Sequence, residues 1–123
     1  MAKTIMIVDD SASLRQVVAI SLRGAGYDVV EGCDGVDALR KLNGGSKVNL
    51  IISDVNMPNM DGIELVKAVK ALPTHKFTPI LMLTTESQEA KKLAGQAAGA
   101  KAWMLKPFNP PQLLAVVAKL VPQ

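Results

Sequence analysis

Cysteine is almost missing from this chain. Cys33 is the only one in 123 residues, so no intrachain disulfide can form and no zinc cluster can be built. Long apolar runs are missing too: none approaches the ~20 residues that a membrane helix requires. Met1-Ala2-Lys3 leads straight into a strand, with no apolar signal segment ahead of it, and the cytoplasm is the expected location. Charge of one sign is scarce. The formal net charge is +3 with the lysines spread along the chain, too slight for a nucleic-acid partner, which needs a concentrated basic stripe. Lys91-Lys92, the densest helical pair, reads as a solvated face. Aromatic residues are few, at 3%; the rest is ordinary for a soluble α/β protein, half apolar and one-fifth charged. A chain of this length suits one domain burying roughly two-thirds of its unfolded surface in one core. The first strand-to-helix turn, Asp9-Asp10-Ser11-Ala12, lacks glycine and is acidic. It would repel a pyrophosphate, which argues against nucleotide- and flavin-binding modules.

What is present is a fivefold alternation of short β-rich runs and helical patterns, without repeats or a linker. Ile5–Val8, Leu50–Ile52 and Ile80–Leu83 are continuously apolar, as expected of parallel strands covered on both faces. Tyr27–Glu31 is more polar and suits an edge, and Ala102–Leu105 is the fifth strand. Leu14, Val17, Val18 and Leu22 predict a first helix, with Ser11 or Ser13 as its N-cap and Gly24 or Gly26 as its stop. Val36, Leu39, Arg40 and Leu42 predict a shorter second helix ending at Gly44-Gly45. Leu65, Val66, Val69 and Leu72 form a third stripe, ended by Pro73. Ser87 caps an alanine-rich fourth helix reaching about Ala98. Pro110-Pro111 opens the last one, with Leu113, Val116, Val117 and Leu120 facing inward. The alternation predicts right-handed crossovers and a doubly wound, flavodoxin-like parallel sheet of order 2-1-3-4-5, with five helices and residues 1–123 as a single domain.

In such a sheet ligands bind beyond the carboxyl ends of the strands, where strand order reverses. Asp9-Asp10 follows the first strand, Asp54 the third, Thr84 closes the fourth and Lys106 follows the fifth. Neighbouring strands lie ~4.8 Å apart, so the three carboxylates crowd together. At ~4 Å and an effective dielectric of ~20, each like-charged pair costs on the order of 4 kcal/mol. The carboxylates contribute −3 and Lys106 +1, leaving −2, which a single Mg²⁺ cancels. Mg²⁺ prefers oxygen ligands, keeps waters and takes only one or two carboxylates directly, which suits a shallow loop site. The neutralised site can accept a phosphoryl group, with Lys106 and Thr84 on its oxygens and Asp54, central in the sheet, as nucleophile.

The motifs Val8-Asp9-Asp10, Asp54-Val55-Asn56-Met57-Pro58-Asn59-Met60-Asp61-Gly62, Leu83-Thr84-Thr85-Glu86 and Leu105-Lys106-Pro107-Phe108 stand in this order along the chain. In them the whole chain resembles receiver domains of the response-regulator family, most closely single-domain chemotaxis regulators of the CheY type. The resemblance implies Asp54 as phospho-acceptor. It implies one Mg²⁺ ligated by the side chains of Asp10 and Asp54 and the backbone carbonyl of Asn56, with Asp9 acting through a metal-bound water. It also implies a cis Lys106-Pro107 bond, and a switch in which the Thr84 hydroxyl moves toward the phosphoryl group while an aromatic side chain on the fifth strand rotates inward. Trp103 occupies that aromatic position in place of the usual Tyr or Phe. Thr85 is bulkier than the small residue common there; with Asn56 and Glu86, which flank the path of an attacking water, it is expected to set the phosphate lifetime.

The expected partners are a histidine kinase as phosphodonor, a downstream protein such as the flagellar motor switch, and a phosphatase, with no nucleic acid and no membrane. With no output domain after Gln123, the signal would leave by the face made of the fourth helix, fifth strand and last helix. A phosphorelay carrier or phosphate sink would use the same site. An aspartyl-phosphate phosphatase would place its nucleophile after the first strand in an Asp-x-Asp pattern, whereas Asp54 follows the third strand and Asn56 stands where the second Asp belongs. The chain is thus expected to be a signalling module and not an enzyme. In isolation each residue reads blandly: Asp9-Asp10 as a helix cap, Asp54 as a turn residue, Lys106 as a solvated lysine. The set carries the reading. His75, in a loop after Pro73, is expected to have no role, and Cys33 to be partly buried.

Overall fold

The computed structural model describes residues 2–84, 94, 96–106 and 108–121. The chain runs β1 (Thr4–Val8), α1 (Ala12–Gly24), β2 (Asp28–Gly32), α2 (Gly35–Asn43), β3 (Leu50–Asp54), α3 (Gly62–Lys70) and β4 (Ile80–Thr84). Residues 94 and 96–98 are helical (α4). They precede β5 (Ala102–Leu105) and α5 (Pro110–Leu120). All strand pairs are parallel and the sheet order is β2-β1-β3-β4-β5, as the alternation predicts.

Side chains alternate across each strand, and that period of two divides the interior into two layers. Ile5, Ile7, Leu50, Ile52, Leu81 and Leu83 pack against Val18 and Leu22 of α1 and Leu113 and Val117 of α5. Met6, Val8, Ile51, Ile80 and Met82 pack against Ala38 and Leu42 of α2 and Leu65, Val66 and Val69 of α3. Every residue of β3 is buried, which puts that strand at the centre, whereas β2 at the edge is only partly covered.

The helix starts are set by side-chain caps that satisfy otherwise unpaired backbone N–H groups. Ser11 accepts from the Leu14 N–H, and Asp34 from the Asp37 N–H. Asp61 with Glu64, and Asn109 with Gln112, form reciprocal capping boxes, and Pro110-Pro111 occupies the first turn of α5. Between the two alternatives for α1, Ser11 is the cap. The chain turns away at Gly26, whose φ of 96° is open to glycine.

Three expectations on side-chain placement need correction. Val17 and Val36 are 55% and 50% exposed, so neither belongs to the inward stripe of its helix. On α2 the buried face is instead Gly35, Ala38 and Leu42. Cys33 is exposed. The expected start of the fourth helix at Ser87 lies outside the described residues.

Candidate functional site

The register brings the strand ends level: Val8 pairs with Ser53, Asp54 with Leu83 and Thr84 with Leu105. Asp9, Asp54, Thr84 and Lys106, the last or next residues of β1, β3, β4 and β5, therefore share one edge. One carboxylate oxygen each from Asp9, Asp10 and Asp54 can be chosen so that all lie within 4.8 Å of one another. Asp9 is 1% exposed, Asp54 9%, and Asp10 is exposed, so the cluster opens from a buried floor to a solvated rim.

Lys106 holds this cluster together. Its Nζ lies 3.3 Å from Asp9 Oδ2 and 3.2 Å from Asp54 Oδ1. Asp9 also accepts from the Ser11 N–H at 2.8 Å, the turn that leads into α1. Asp54 Oδ1 accepts from the Val55 N–H at 2.8 Å. Burial pushes the Asp9 carboxyl above its ordinary value; the Ser11 N–H opposes the rise, the charge of Asp54 adds to it, and Lys106 opposes it. An acid held above its ordinary pKa between two other carboxylates is a site short of positive charge. Three hard oxygen donors, one of them at the solvated rim, fit a divalent cation of the Mg²⁺ kind that keeps part of its water.

The loop after β3 closes the rim. Asn56 is exposed there, two residues beyond Asp54. Gly62 begins α3 directly behind the nucleophile candidate, donating its N–H to Val55 O at 2.8 Å. A Cβ at Gly62 would sit 2.2 Å from the carbonyl oxygen of Asp54, so only glycine allows this approach, as the sequence suggests. Trp103 is half-buried on β5, paired in register with Met82, and packs in the layer that holds Ala98 and Ala100. Its Nε1 is buried and has no hydrogen-bond partner among the described residues. The Thr84 side chain, Thr85, Glu86 and Pro107, and with them the cis bond and two of the lifetime residues, lie outside the described residues.

The structure adds supports that the sequence does not reveal. The Arg15 guanidinium donates to the backbone carbonyl of Asp9 and pairs with Glu31 at 3.3 Å, pinning the end of β1 from below. Asp34, buried at the end of β2, accepts from Asn59 Nδ2 at 2.8 Å and so ties the loop after β2 to the loop after β3. The Asp37 N–H and then Asn59 hold its carboxyl below the ordinary value. Asn59 takes a positive φ of 68°, one of the few non-glycine residues for which this is tolerable. An Asp–x–x–Asp start to α2 is a cap signal in the sequence, but the link to Asn59 has none.

Known proteins share this arrangement. Residues 5–118 match the family model of the response regulator receiver domain. The chain is 39% identical over 107 residues to chemotaxis protein CheY1 of Helicobacter pylori, covering 86% of each. It is 38% identical over 107 residues to the chemotaxis protein CheY homolog of Campylobacter jejuni, covering 86% of this chain and 82% of that one. Chemotaxis protein CheY4 of Vibrio cholerae superposes with a TM-score of 0.93 at 48% identity, over 98% of this chain and 100% of that one. A doubly wound sheet with an acidic nest and a lysine at its switch point, matched over nearly its whole length, places the chain in the response regulator receiver domain family, among its CheY-like chemotaxis members.

Proposed function

We propose that the chain is the phospho-acceptor regulator of a two-component chemotaxis system, acting in the cytoplasm as a single receiver domain. Asp54 attacks the phosphorus of a phosphohistidine on a histidine kinase. The P–O bond to the carboxylate forms as the P–N bond breaks, and the imidazole leaves. Asp10 and Asp54 by side chain and Asn56 by its carbonyl would hold one Mg²⁺, with Asp9 acting through a bound water. When bound, the ion supplies the positive charge that the incoming phosphoryl oxygens require. Lys106, 3.2 Å from Asp54, is close enough to follow the new phosphoryl oxygens as they form, and the Thr84 hydroxyl takes another. Water attack on phosphorus later regenerates the carboxylate, with Asn56, Thr85 and Glu86 setting the rate and an external phosphatase able to raise it.

The observation that supports this reading best is the ammonium of Lys106 within 3.3 Å of both Asp9 and Asp54. Such a cation is positioned to leave one partner for a new anion without unfolding anything. Output runs through the α4, β5 and α5 face, where Trp103 is the aromatic switch. An unsatisfied buried donor costs about 1–3 kcal/mol, so the indole N–H favours any alternative conformation in which it finds an acceptor. The downstream partner is a protein of the flagellar motor switch kind. The test is labelling with acetyl phosphate and Mg²⁺: acid-labile phosphate on Asp54, abolished in Asp54→Asn and by chelation, is expected. Label at another residue, or label without Mg²⁺, would refute the site. The relay alternative predicts prompt transfer from Asp54 to a histidine phosphotransfer protein, with no change at Trp103.

A further inference from the structure

At the end of the sheet opposite the carboxylates, the α2–β3 and α3–β4 loops enclose a cavity of about 430 Å³. Its walls are Leu42 and Val48 on the apolar side and Ser46, Lys47, Thr74 and His75 on the polar side. From this arrangement we infer a second binding site, for a small monocarboxylate with a short apolar body.

His75 is the decisive residue. It is 3% exposed, and its one ring hydrogen bond is between Nδ1 and Thr74 Oγ1 at 2.9 Å. The other ring nitrogen, Nε2, has no partner among the described residues. Buried polar atoms are nearly always paired, so a buried imidazole on a cavity wall with one nitrogen unused points to a ligand. Burial holds the ring below its ordinary pKa, so it is neutral at pH 7. With the Thr74 hydroxyl donating to Nδ1, the ring proton stands on Nε2, which is then a donor for an oxygen in the cavity. Lys47 lines the same cavity, is exposed, and has no ion pair among the described residues.

One full positive charge and one neutral donor match the two oxygens of one carboxylate. Leu42 and Val48 then take an alkyl chain of a few carbons, for which the volume suffices. Inorganic phosphate carries more charge than Lys47 alone balances and gains nothing from the apolar wall. A dicarboxylate would set its second charge against Leu42 and Val48, unpaired. The site shares no residue with the carboxylate cluster, so it stands or falls independently of phosphorylation.

His75 is the only histidine, so its imidazole proton resonances are assigned without further work. The experiment is an NMR titration of the full chain at pH 7 with butyrate, with inorganic phosphate as competitor. A saturable shift of the His75 resonances is expected, unaffected by phosphate. Lys47→Met changes an exposed side chain and keeps the fold; it should weaken butyrate about tenfold, the loss of one charge-assisted hydrogen bond. No saturable shift in the wild type, equal binding in Lys47→Met, or displacement by phosphate would each overturn the inference.

Discussion

Replacing Asp9 by Asn should stabilise the metal-free protein, although it removes a buried ion pair. Asp9 lies within 4.8 Å of both Asp10 and Asp54, and at that distance and an effective dielectric of about 20 each like-charge pair costs about 3.5 kcal/mol. The contact with Lys106 at 3.3 Å offsets about 5 kcal/mol on the same scale. Asp10 is exposed, so its share is screened, and the Coulomb contributions nearly cancel. Burial of the charge then decides the sign, and burial is the largest cause of the raised pKa. Asparagine keeps an Oδ1 to accept the Ser11 N–H and leaves Lys106 with Asp54. The expected gain is about 1–2 kcal/mol in urea denaturation with chelator, or about 3–10 °C in Tm for a chain of this size.

Magnesium should reverse the ranking, because a ligand at tenfold its Kd stabilises the native state by about 1.4 kcal/mol and the variant binds it more weakly. The pH arm has a definite sign. An acid raised in the folded state contributes stability that is present below its ordinary pKa of 3.8 and lost as pH rises through the raised value. The advantage of Asp9→Asn should therefore be small in acid and grow with pH across that window. A variant less stable than wild type in chelator at pH 7 would refute the electrostatic account and make Asp9 a structural anchor.

Gly62→Ala should cost at least about 2–3 kcal/mol in urea denaturation, because the new methyl meets a backbone carbonyl at 2.2 Å that cannot move without carrying Asp54 with it. A gain, the usual result of Gly→Ala in a helix, would contradict that packing. The Asp37 carboxyl is held down to about 2 by the Cys33 N–H, with Arg40 and Lys41 adding to it. The stability it contributes is present above the ordinary 3.8 and lost as pH falls toward 2. Asp37→Asn should thus lose about 1–2 kcal/mol at pH 7, allowing for partial exposure, and show a flatter acid-unfolding slope over that range; an unchanged slope would refute it. Trp103 is the only tryptophan. Its fluorescence should respond when beryllium fluoride is added with Mg²⁺, and the response should vanish in Asp54→Asn; a silent indole in the wild type would sink its role as switch.

The strands and the corners of the site were legible in the sequence because both depend on short-range pattern. Fully apolar runs ending in Asp or Lys mark buried parallel strands and what stands at their tips, and the caps at Ser11, Asp61 and Asn109 announce their helices. Helix faces were less legible. Choosing Val36 and Leu39 as the inward stripe of α2 follows bulk, whereas the structure buries Gly35 and Ala38. A Cβ at Gly32 would lie 3.2 Å from the Ala38 methyl, so α2 approaches the sheet where both residues are small, and that contact rotates the valine outward. Val17 on α1 was misplaced by the same weighting of bulk.

Contacts between distant loops leave no local pattern at all. Asn59 reaches Asp34 across 25 positions, and Arg15 reaches Glu31 across 16. Neither pair is within one periodic segment, and each depends on how the loops after β1, β2 and β3 stack. Lys106 and Asp9 are 97 positions apart, yet that contact could be anticipated. The difference is topological. Parallel strands in the order 2-1-3-4-5 send every carboxyl end to one edge, so a residue at a strand tip has its neighbourhood fixed by the sheet, while a residue within a loop does not. A reactive centre built only from strand tips is therefore readable from sequence as soon as the strand order is known. The supports that hold its loops, and the His75 cavity at the far end, become visible only in three dimensions.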